Sequence, residues 1–410
     1  MCMKKVAVIG AGASGLMAAY AAAINGNHVT VFEKNEKCGK KIYITGKGRC
    51  NLTHDCTPDE FLQNVVSNSK FLTGAIYNFS PQRTMQFFED GGLALKIERG
   101  DRVFPVSDKA SDVTKCLEKY CLNAGVQFKF GVKVVKITHL SSTMFDIITD
   151  NDRFSFDNVI ICTGGLSYPL TGSTGDGYKF AEEVGHNIVE QKPALCGLNL
   201  KGEWYRDLQG LTLKNVKLNV FIDEKKKYEF FGEMLFTHFG VSGPIVLSVS
   251  SFINRCDLKR VRLSLDLKPA LSEEQLDARI LRDFDKSKNR DISNCLRELL
   301  PNALIPVVLQ RCGISQVKKI NCVTRNERRS LLTIIKNFDM LISSFRGFDE
   351  AIITAGGIDV KEINSKTMES KLVKGLYFCG EVLDIDALTG GFNLQIAFST
   401  GFAAGNSIKE

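Results

Sequence analysis

The chain has 13 cysteines in 410 residues, yet no two of them stand at CxxC spacing. The closest pairs, Cys50 with Cys56 and Cys116 with Cys121, do not have the spacing of metal ligands. An odd number of cysteines also cannot form a complete set of internal disulfides. We therefore expect reduced thiols, no bound metal and a cytoplasmic location.

Long basic runs, internal repeats and low-complexity linkers are absent as well. The net charge is +7, and the basic runs Lys225–Lys227 and Lys318–Lys319 are short and contain no aromatic residue. Such runs are typical of solvated loops, whereas a nucleic-acid surface combines basic and aromatic residues. The sequence therefore favours a small-molecule substrate, and we expect no nucleic-acid partner.

A charge-free stretch of 19 residues, Val6–Ile24, has the length of a transmembrane helix. Its glycines stand at nucleotide-binding spacing, however, and charged residues follow, so a buried strand and helix are the better interpretation. A secretory signal fits no better, because no suitable small-residue cleavage site precedes a domain that begins with this unit. We expect no membrane partner.

The same stretch contains a dinucleotide-binding fingerprint. The strand-like run Lys5–Ile9 is followed by a glycine triplet, an alanine-rich segment and a second strand that ends in Glu33. In such a βαβ unit the glycines allow a tight turn, close approach of a pyrophosphate and close helix packing, and the acid accepts a hydrogen bond from a ribose hydroxyl. The predicted cofactor contacts are Gly10, Gly12, Ala13, Ser14, Gly15, Glu33 and Lys34.

The order of the predicted elements indicates an α/β fold that is interrupted by an insertion. Strands and helices alternate in the first part of the chain, which predicts a parallel sheet with helices on its faces. Apolar and polar residues alternate at Val216–Ile222 and Val261–Leu267, which predicts antiparallel strands. The predicted domains are a Rossmann-like domain of residues 1–192 and 352–410, a β-rich insert of residues 193–270 and 320–351, and a helical sub-insert of residues 271–319.

Several single elements can also be predicted from the residue pattern. Strands are predicted at Val126–Val134 and Phe154–Cys162. Helices are predicted at Asn294–Leu300 and Asn326–Phe338, and the final helix at Asn393–Asn406.

Two further glycine-rich segments, Gly39–Asn51 and Gly380–Asn393, lie at opposite ends of the chain. Nicotinamide enzymes usually place a second mononucleotide-binding half directly after the first, so this split arrangement favours an extended, permanently held cofactor. We predict that the Rossmann-like domain binds FAD tightly and without covalent attachment; for Gly39–Asn51 the alternative is a surface loop. The predicted contacts of this segment, near the pyrophosphate and the flavin, are Lys40, Lys41, Gly48, Arg49, Cys50 and Asn51.

The second segment leads into the final predicted helix. Reduced flavin carries negative charge around N1 and the C2 carbonyl, and a helix amino terminus stabilises such charge; the alternative is an ordinary turn. The predicted contacts are Gly380, Glu381, Gly391, Phe392, Asn393 and Leu394. Near the adenosine side we predict contacts from Thr163, Gly164 and Gly165, and from the backbone of Val134 in the middle of a strand.

Four segments together make the chain resemble a known family. They are Val8–Gly15, Gly39–Lys41 with Gly48–Asn51, Leu235–Pro244, and Gly375–Glu381 with Gly391–Gln395. Over essentially its whole length the chain is similar to the BaiN/aminoacetone-oxidase-like (YhiN-like) FAD flavoproteins of the glutathione-reductase-type superfamily. The resemblance implies a flavin redox enzyme with a GR2-type FAD-binding domain, a β-barrel-like insert and a helical sub-insert. Lys47 departs from the family pattern, which has a glycine there.

The resemblance leaves the substrate open, because members are linked to reduction of steroid-like enones and to amine oxidation. We expect first an NAD(P)H-linked reductase of an activated C=C bond, with NAD(P)H as a transient electron donor. One alternative is an amine oxidase that uses O₂. The other is a flavin-binding modifier of RNA or protein, or a redox sensor.

No side chain in the sequence stands out as catalytic. His238, next to Phe239, is a weak candidate for the substrate pocket, because histidine is an acid–base group at neutral pH, although a structural role is commoner. Cys50 follows Arg49, whose positive charge favours a lowered pKa of the thiol, but without a partner cysteine at CxxC or CxxxxC spacing we do not expect a redox-active thiol. The remaining histidines are predicted at strand edges or in loops: His28, His54, His139 and His186.

Overall fold

The computed structural model describes residues 3–141 and 144–409. The chain divides into two compact units: unit 1 runs to Ala194 and resumes at Phe348, and unit 2 is Leu195–Gly347. The boundaries predicted from the sequence are 192/193 and 351/352. Among the described residues, no helix combines the length and the apolar character needed to cross a membrane.

Strands and helices are numbered in chain order. The strands are β1 (Lys5–Ile9), β2 (His28–Glu33), β3 (Thr53–His54), β4 (Leu95–Glu98), β5 (Arg102–Pro105), β6 (Gln127–Phe130), β7 (Val134–Ser141), β8 (Met144–Thr149), β9 (Arg153–Phe156), β10 (Asn158–Ile161), β11 (Ile188–Ala194), β12 (Leu198–Leu200), β13 (Thr212–Ile222), β14 (Lys225–Thr237), β15 (Gly240–Ser242), β16 (Val261–Asp266), β17 (Phe338–Phe345), β18 (Ile353–Ile358) and β19 (Leu376–Phe378). The α-helices are α1 (Ala13–Ala23), α2 (Pro58–Gln63), α3 (Ser69–Asn78), α4 (Pro81–Asp90), α5 (Ala110–Asn123), α6 (Asp176–Glu183), α7 (Pro244–Ile253), α8 (Glu273–Lys286), α9 (Ile292–Cys295), α10 (Leu304–Cys312), α11 (Arg325–Lys336) and α12 (Phe392–Ser407).

A parallel sheet forms the centre of unit 1, with strand order β19–β10–β1–β2–β6. Its inner strands β1 and β10 are almost entirely buried, because parallel sheets are covered on both faces. Smaller antiparallel sheets, β3–β5–β4, β7–β8–β9 and β11–β18, complete the unit. The sheet confirms the Rossmann-like fold predicted from the sequence.

Helices α1 and α12 pack closely because small residues line their contact. A Cβ atom added at Gly401 would overlap the carbonyl oxygen of Ser14, and one added at Gly405 would overlap that of Ala18. Helix α1 follows the first strand and α12 is the last helix. Their packing therefore brings the fingerprint and the last glycine segment into the same unit.

Unit 2 is a closed antiparallel barrel with strand order β12–β15–β14–β13–β16–β17, flanked by helices. Leu218 and Val220 of β13 and Leu263 and Leu265 of β16 are fully buried, as the period-two pattern predicts. Helix α8 begins with a capping box in which Ser272 and the residue three positions later bond each other's backbone N–H groups. The predicted β-rich insert fold is therefore confirmed.

Two predicted strands are wrong in extent. The predicted strand Val126–Val134 is interrupted at Gly131, whose φ of 67° turns the chain between β6 and β7. The predicted strand Phe154–Cys162 is two strands in different sheets. They separate at Asp157, whose carboxylate accepts a hydrogen bond from the N–H of Lys5 at 2.7 Å.

Two predicted helices are also shorter than expected. Within Asn294–Leu300, helix α9 stops at Cys295 and the 3₁₀ turn Leu296–Glu298 follows. Within Asn326–Phe338, α11 stops at Lys336 and the last residue already begins β17.

Candidate cofactor site

The turn between β1 and α1 contains the glycines of the fingerprint. Gly10 has a φ of 102° and donates its N–H to the carbonyl of Phe32 at 2.8 Å. A Cβ at Gly10 would lie 2.7 Å from the carbonyl oxygen of Cys162, and a Cβ at Gly15 would overlap the carbonyl oxygen of Gly10. The turn itself therefore requires glycine at both positions.

Gly12 differs, because a Cβ added there would meet no described atom within 4 Å. It precedes α1, which starts with Ala13, Ser14 and Gly15; in the described structure no side chain caps this helix and its first turn has no acidic residue. The first N–H groups of a helix lack partners within the helix and lie at its positive dipole end. The amino end of α1 therefore faces open space with donors suited to an anion.

The carboxylate of Glu33 is buried against this turn. Its Oε2 accepts the N–H of Ala11 at 2.7 Å, and its Oε1 accepts the N–H of Asn35 at 2.8 Å. Lys34 bonds the carboxylate of Asp176 at 2.7 Å instead. Burial alone would raise the pKa of Asp176, but the hydrogen bond and charge of Lys34, together with Thr174 and Lys133, outweigh this effect and the pKa is lowered. Glu33 is thus fixed beside the glycine turn, while Lys34 ties β2 to α6.

The two distant glycine segments meet in an ion pair. The Nζ of Lys41 lies 2.7 Å from Oε2 of Glu381, and both side chains are about one-fifth exposed, at 23% and 21%. The other carboxylate oxygen of Glu381 accepts the N–H of Thr354 at 2.9 Å. Lys40 instead lies 3.2 Å from Oδ1 of Asn35. The ion pair therefore places the segment Gly39–Asn51 beside Glu381.

Arg49 and Cys50 are not in the surroundings expected from their sequence positions. The Arg49 guanidinium pairs with the carboxylates of Glu98 and Asp108. Cys50 is fully buried, and this burial raises the pKa of its thiol to about 12. The expectation that Arg49 lowers the pKa of Cys50 is therefore wrong.

The kinked 3₁₀ segment Ile42–Gly48 contains residues in left-handed backbone conformation. Gly46 has a φ of 56°, Lys47 a φ of 58° and Gly48 a φ of 86°. Lys47 thus adopts a conformation that glycine takes more easily, at the position where the family pattern has glycine.

The amino end of α12 rests on β3. Gly391, which precedes the helix, has a φ of 97°, and a Cβ there would overlap the carbonyl oxygen of Thr53. The buried ring of Phe392 stacks on His54 with 4.6 Å between ring centroids and meets Phe61 edge-on at 5.2 Å. Only glycine allows so close an approach of the two backbones at Gly391.

The same helix end has no capping side chain, and the segment that leads to it contacts α1. Asn393 bonds the backbone of Ala387, and Leu394 follows it in the first turn; in the described chain this turn has neither a capping side chain nor an acid. A Cβ at Gly380 would lie 2.5 Å from Oγ of Ser14. Both uncapped helix ends therefore belong to unit 1, with Gly380 against the first turn of α1.

The segment after β10 also lies close to these elements. A Cβ at Gly164 would lie 2.9 Å from Oγ of Ser173, and one at Gly165 would lie 2.5 Å from Oγ1 of Thr354. Thr163 precedes them, and a Cβ added at Gly177 would overlap the Oγ1 atom of Thr163. The sequence therefore folds tightly here around small residues.

Several polar atoms in these segments are buried without a hydrogen-bond partner in the described structure: Oδ1 of Asn51, Oγ1 of Thr163 and the hydroxyl of Tyr178. Burial, with smaller contributions from Glu381 and Asp384, raises the pKa of the Tyr178 phenol. Since buried polar groups are normally hydrogen-bonded, these atoms are suited to a polar ligand.

Val134 is the first residue of β7, so its predicted position in the middle of a strand is wrong. It pairs with Thr149 of β8. The backbone that contacts the end of β2 lies two residues earlier in the chain. There Val132 donates its N–H to the carbonyl of Glu33 at 3.0 Å. The chain turns at Gly131 between these positions, which the strand-like composition of the segment does not reveal.

His238 and Phe239 lie in unit 2, between β14 and β15. The His238 side chain is exposed and meets the Phe239 ring edge-on at 5.1 Å. The guanidinium of Arg346 lies 4.5 Å above the Phe239 ring. Within residues 3–141 and 144–409, no group of three or more His, Cys, Asp or Glu side chains is arranged to hold a metal ion.

Sequence reasoning did not single out Thr354 or His54. Thr354 Oγ1 accepts the N–H groups of Leu166 at 2.8 Å and Ser167 at 3.1 Å, and so fixes the chain after Gly165. Its position near the start of a strand that contains two consecutive glycines, Gly356 and Gly357, is a signal that could have found it. His54 stands next to Thr53 in a strand of two residues, which is too short for a periodic pattern.

A protein-family model described as the HI0933-like protein Rossmann domain matches residues 4–407. The chain belongs to the HI0933-like family. The resemblance inferred from the sequence is thereby confirmed, and the protein is an FAD-dependent oxidoreductase.

Two curated relatives align over nearly the whole chain. A 3-dehydro-bile acid delta(4,6)-reductase of Clostridium scindens is 32% identical and covers 100% of both chains. A ribosomal RNA dihydrouridine synthase of Haemophilus influenzae is 30% identical and covers 98% of both. The solved 3-ketosteroid-delta4-(5alpha)-dehydrogenase of Rhodococcus jostii has a TM-score of 0.52 at 14% identity, covers 98% of this chain and 96% of its own, and shares the fold.

Proposed function

We propose that this protein reduces a C=C bond conjugated to a carbonyl group, with FAD as the hydride carrier and NAD(P)H as the donor. The observation that carries the proposal is the full-length similarity to two relatives whose names both denote saturation of such a bond. A 3-oxo-4,6-diene and the C5=C6 bond of uracil are each conjugated to a carbonyl. In the overall reaction NAD(P)H gives a hydride, solvent gives a proton, and the C=C bond becomes CH–CH.

The residues of unit 1 fit FAD. The open amino end of α1 at Gly12 is suited to the pyrophosphate, and Glu33 is suited to a ribose hydroxyl. Lys41 and Glu381 lie where the two glycine segments meet and are suited to the phosphate and ribityl part. The unpartnered amide oxygen of Asn51 provides a buried acceptor for the flavin. When bound, FAD supplies hydride transfer at N5.

The amino end of α12 is suited to the charge of the reduced cofactor. Phe392, Asn393 and Leu394 form a first turn without acidic residues, and within the described chain no side chain caps it. Its N–H groups and dipole favour negative charge, which the reduced isoalloxazine carries around N1 and the C2 carbonyl. This chain would thereby stabilise reduced FAD more than oxidised FAD.

A small enone is the first substrate class, because the relative with 32% identity is a bile acid reductase. A uridine in ribosomal RNA is the second candidate, favoured by the 30% and 29% identical dihydrouridine synthases. The net charge of +7 is compatible with either class.

The test is an anaerobic stopped-flow experiment on purified protein. The protein is expected to contain FAD that is reduced by NADH or NADPH and reoxidised by a 3-oxo-4,6-diene steroid, with a saturated product detected by mass spectrometry. Reoxidation by a uridine-containing ribosomal RNA fragment, with formation of dihydrouridine, supports the second candidate. Reduction by an amine and reoxidation by O₂ alone supports an amine oxidase and overturns the proposal, as does protein that neither contains FAD nor can be reconstituted with it.

A further inference from the structure

His54 joins the first part of the chain to the turn before α12. Its Nδ1 lies 3.1 Å from the carbonyl oxygen of Gly390, 336 positions away. Its ring stacks on Phe392, with 4.6 Å between centroids and 24° between planes. One side chain therefore contacts both the peptide before the helix and the first residue of the helix.

The hydrogen bond determines where the proton of the imidazole lies. A carbonyl oxygen only accepts, so Nδ1 of His54 carries the hydrogen and donates it to Gly390. The C=O and N–H of a trans peptide point in opposite directions. Because the Gly390 carbonyl is directed at His54, the N–H of Gly391 is directed away from it.

The backbone around this peptide does not fix its orientation by itself. Gly390 has a φ of 128° and Gly391 a φ of 97°. Glycine reaches positive and negative φ about equally well, so consecutive glycines allow this peptide more than one orientation. The hydrogen bond from His54 favours the observed orientation, in addition to the close packing of Gly391 on Thr53.

We propose that His54 is a positioning residue for the flavin, which holds the carbonyl of Gly390 away from the amino end of α12. The proposal rests on the proposed function, in which this helix end faces the charge of reduced FAD. If the bond is lost, the carbonyl dipole is free to turn toward the helix end and oppose that charge. The reduced cofactor then loses more binding energy than the oxidised one.

Two substitutions separate the hydrogen bond from the stacking. His54→Phe keeps an aromatic ring on Phe392 but has no donor, whereas His54→Asn keeps an N–H donor without the ring. His139→Phe is the matched control, because His139 also packs on a phenylalanine, Phe145, in a different sheet, with 4.9 Å between centroids and 30° between ring planes. His54→Leu, which also lacks a donor, replaces the Phe variant if that variant does not fold by circular dichroism.

The readouts are the dissociation constant of oxidised FAD and the midpoint potential of the bound flavin. For His54→Phe we expect oxidised FAD to bind within about threefold of wild type and reduced FAD to bind about tenfold more weakly. Tenfold weaker binding of reduced FAD, with the affinity for oxidised FAD unchanged, lowers the two-electron midpoint potential by about 30 mV. His54→Asn and His139→Phe should keep the wild-type potential.

The outcomes distinguish this inference from the proposed function. An unchanged potential in His54→Phe overturns the inference, and so does an equal shift in His54→Asn, which would show that an N–H donor at this position does not preserve the potential. Wild-type protein that does not bind FAD overturns the proposed function, whatever the variants do.

Discussion

The ammonium of Lys41 lies 2.7 Å from the carboxylate of Glu381, although 340 positions separate them in the chain. Neither residue belongs to the β1–α1 fingerprint, yet their pairing joins the glycine segment after β2 to the one after β19. Glu381 in turn accepts the backbone N–H of Thr354 at 2.9 Å. The pair thus connects three parts of unit 1 before any cofactor is considered.

Removing the ammonium of Lys41 should destabilise the FAD-free protein. In Lys41→Met the Glu381 carboxylate keeps its partial burial but loses its counter-charge, so we expect the free energy of unfolding to fall by about 1 kcal/mol. Urea denaturation of FAD-free protein measures this. Lys40→Met is the control, because the ammonium of Lys40 lies 3.8 Å from an exposed carboxylate, that of Glu36, and should change stability by less than about 0.5 kcal/mol. Equal effects of the two substitutions would contradict this account of the pair.

Alanine at Gly12 and at Gly15 should separate cofactor binding from folding. A Cβ at Gly12 meets no described atom within 4 Å, so Gly12→Ala should keep the stability of the FAD-free protein within about 0.5 kcal/mol. The same methyl group would obstruct a pyrophosphate, and we expect FAD to bind more than about tenfold more weakly. Fluorescence titration with FAD measures the affinity.

Gly15→Ala is the comparison, because its methyl group would overlap the carbonyl oxygen of Gly10. We expect it to lower the free energy of unfolding by about 2 kcal/mol or more even without FAD. If Gly12→Ala binds FAD normally, the pyrophosphate does not approach at this turn.

The sequence was most informative where a structural requirement is local. The buried strands β1 and β10 are continuous apolar runs, and the barrel strands β13 and β16 alternate, so the period of hydrophobicity alone separates the two sheet types. Strand ends were less predictable. At the break between β9 and β10 the N–H of Lys5 donates to the carboxylate of Asp157, a contact between residues that are far apart in the chain.

The candidate site shows the same limit. The glycines of the β1–α1 turn follow from a local motif, whereas the pairing of Lys41 with Glu381 depends on how the sheet brings distant segments together. The prediction for Cys50 was wrong because adjacent side chains point in different directions. Arg49 reaches exposed carboxylates while the Cys50 thiol is buried.

Glu362 should make the stability of unit 1 depend on pH. It accepts the N–H of Asn187 and bonds Nδ1 of His186, each at 2.9 Å, and Nε2 of His186 lies 2.7 Å from Oγ of Ser370. Burial raises the pKa of Glu362, but these hydrogen bonds outweigh it and the pKa is below its ordinary value of 4.5. A lowered folded-state pKa stabilises the protein above the unfolded-state pKa, and this stabilisation is lost as the pH falls through the folded-state value.

The variant Glu362→Gln tests this, because glutamine does not titrate. At about pH 6 we expect wild type to be more stable than the variant, and at about pH 3 we expect the difference to shrink. Urea denaturation over this range gives the two curves. A difference that is constant or grows as the pH falls would show that the Glu362 carboxylate is not preferentially stabilised in the folded state.

Glycine at position 47 should stabilise the loop between β2 and β3. Lys47 has a φ of 58° and an exposed side chain. Left-handed backbone destabilises a non-glycine residue, and no buried contact of the side chain compensates for this here. We expect Lys47→Gly to raise the free energy of unfolding of the FAD-free protein by about 0.5–1 kcal/mol, since the relief of strain exceeds the extra entropy of unfolded glycine. Lys47→Ala removes the same side chain but keeps the strain, and should change stability by less than about 0.5 kcal/mol. If both variants behave alike in urea denaturation, the side chain of Lys47 and not its backbone conformation determines the stability of this loop.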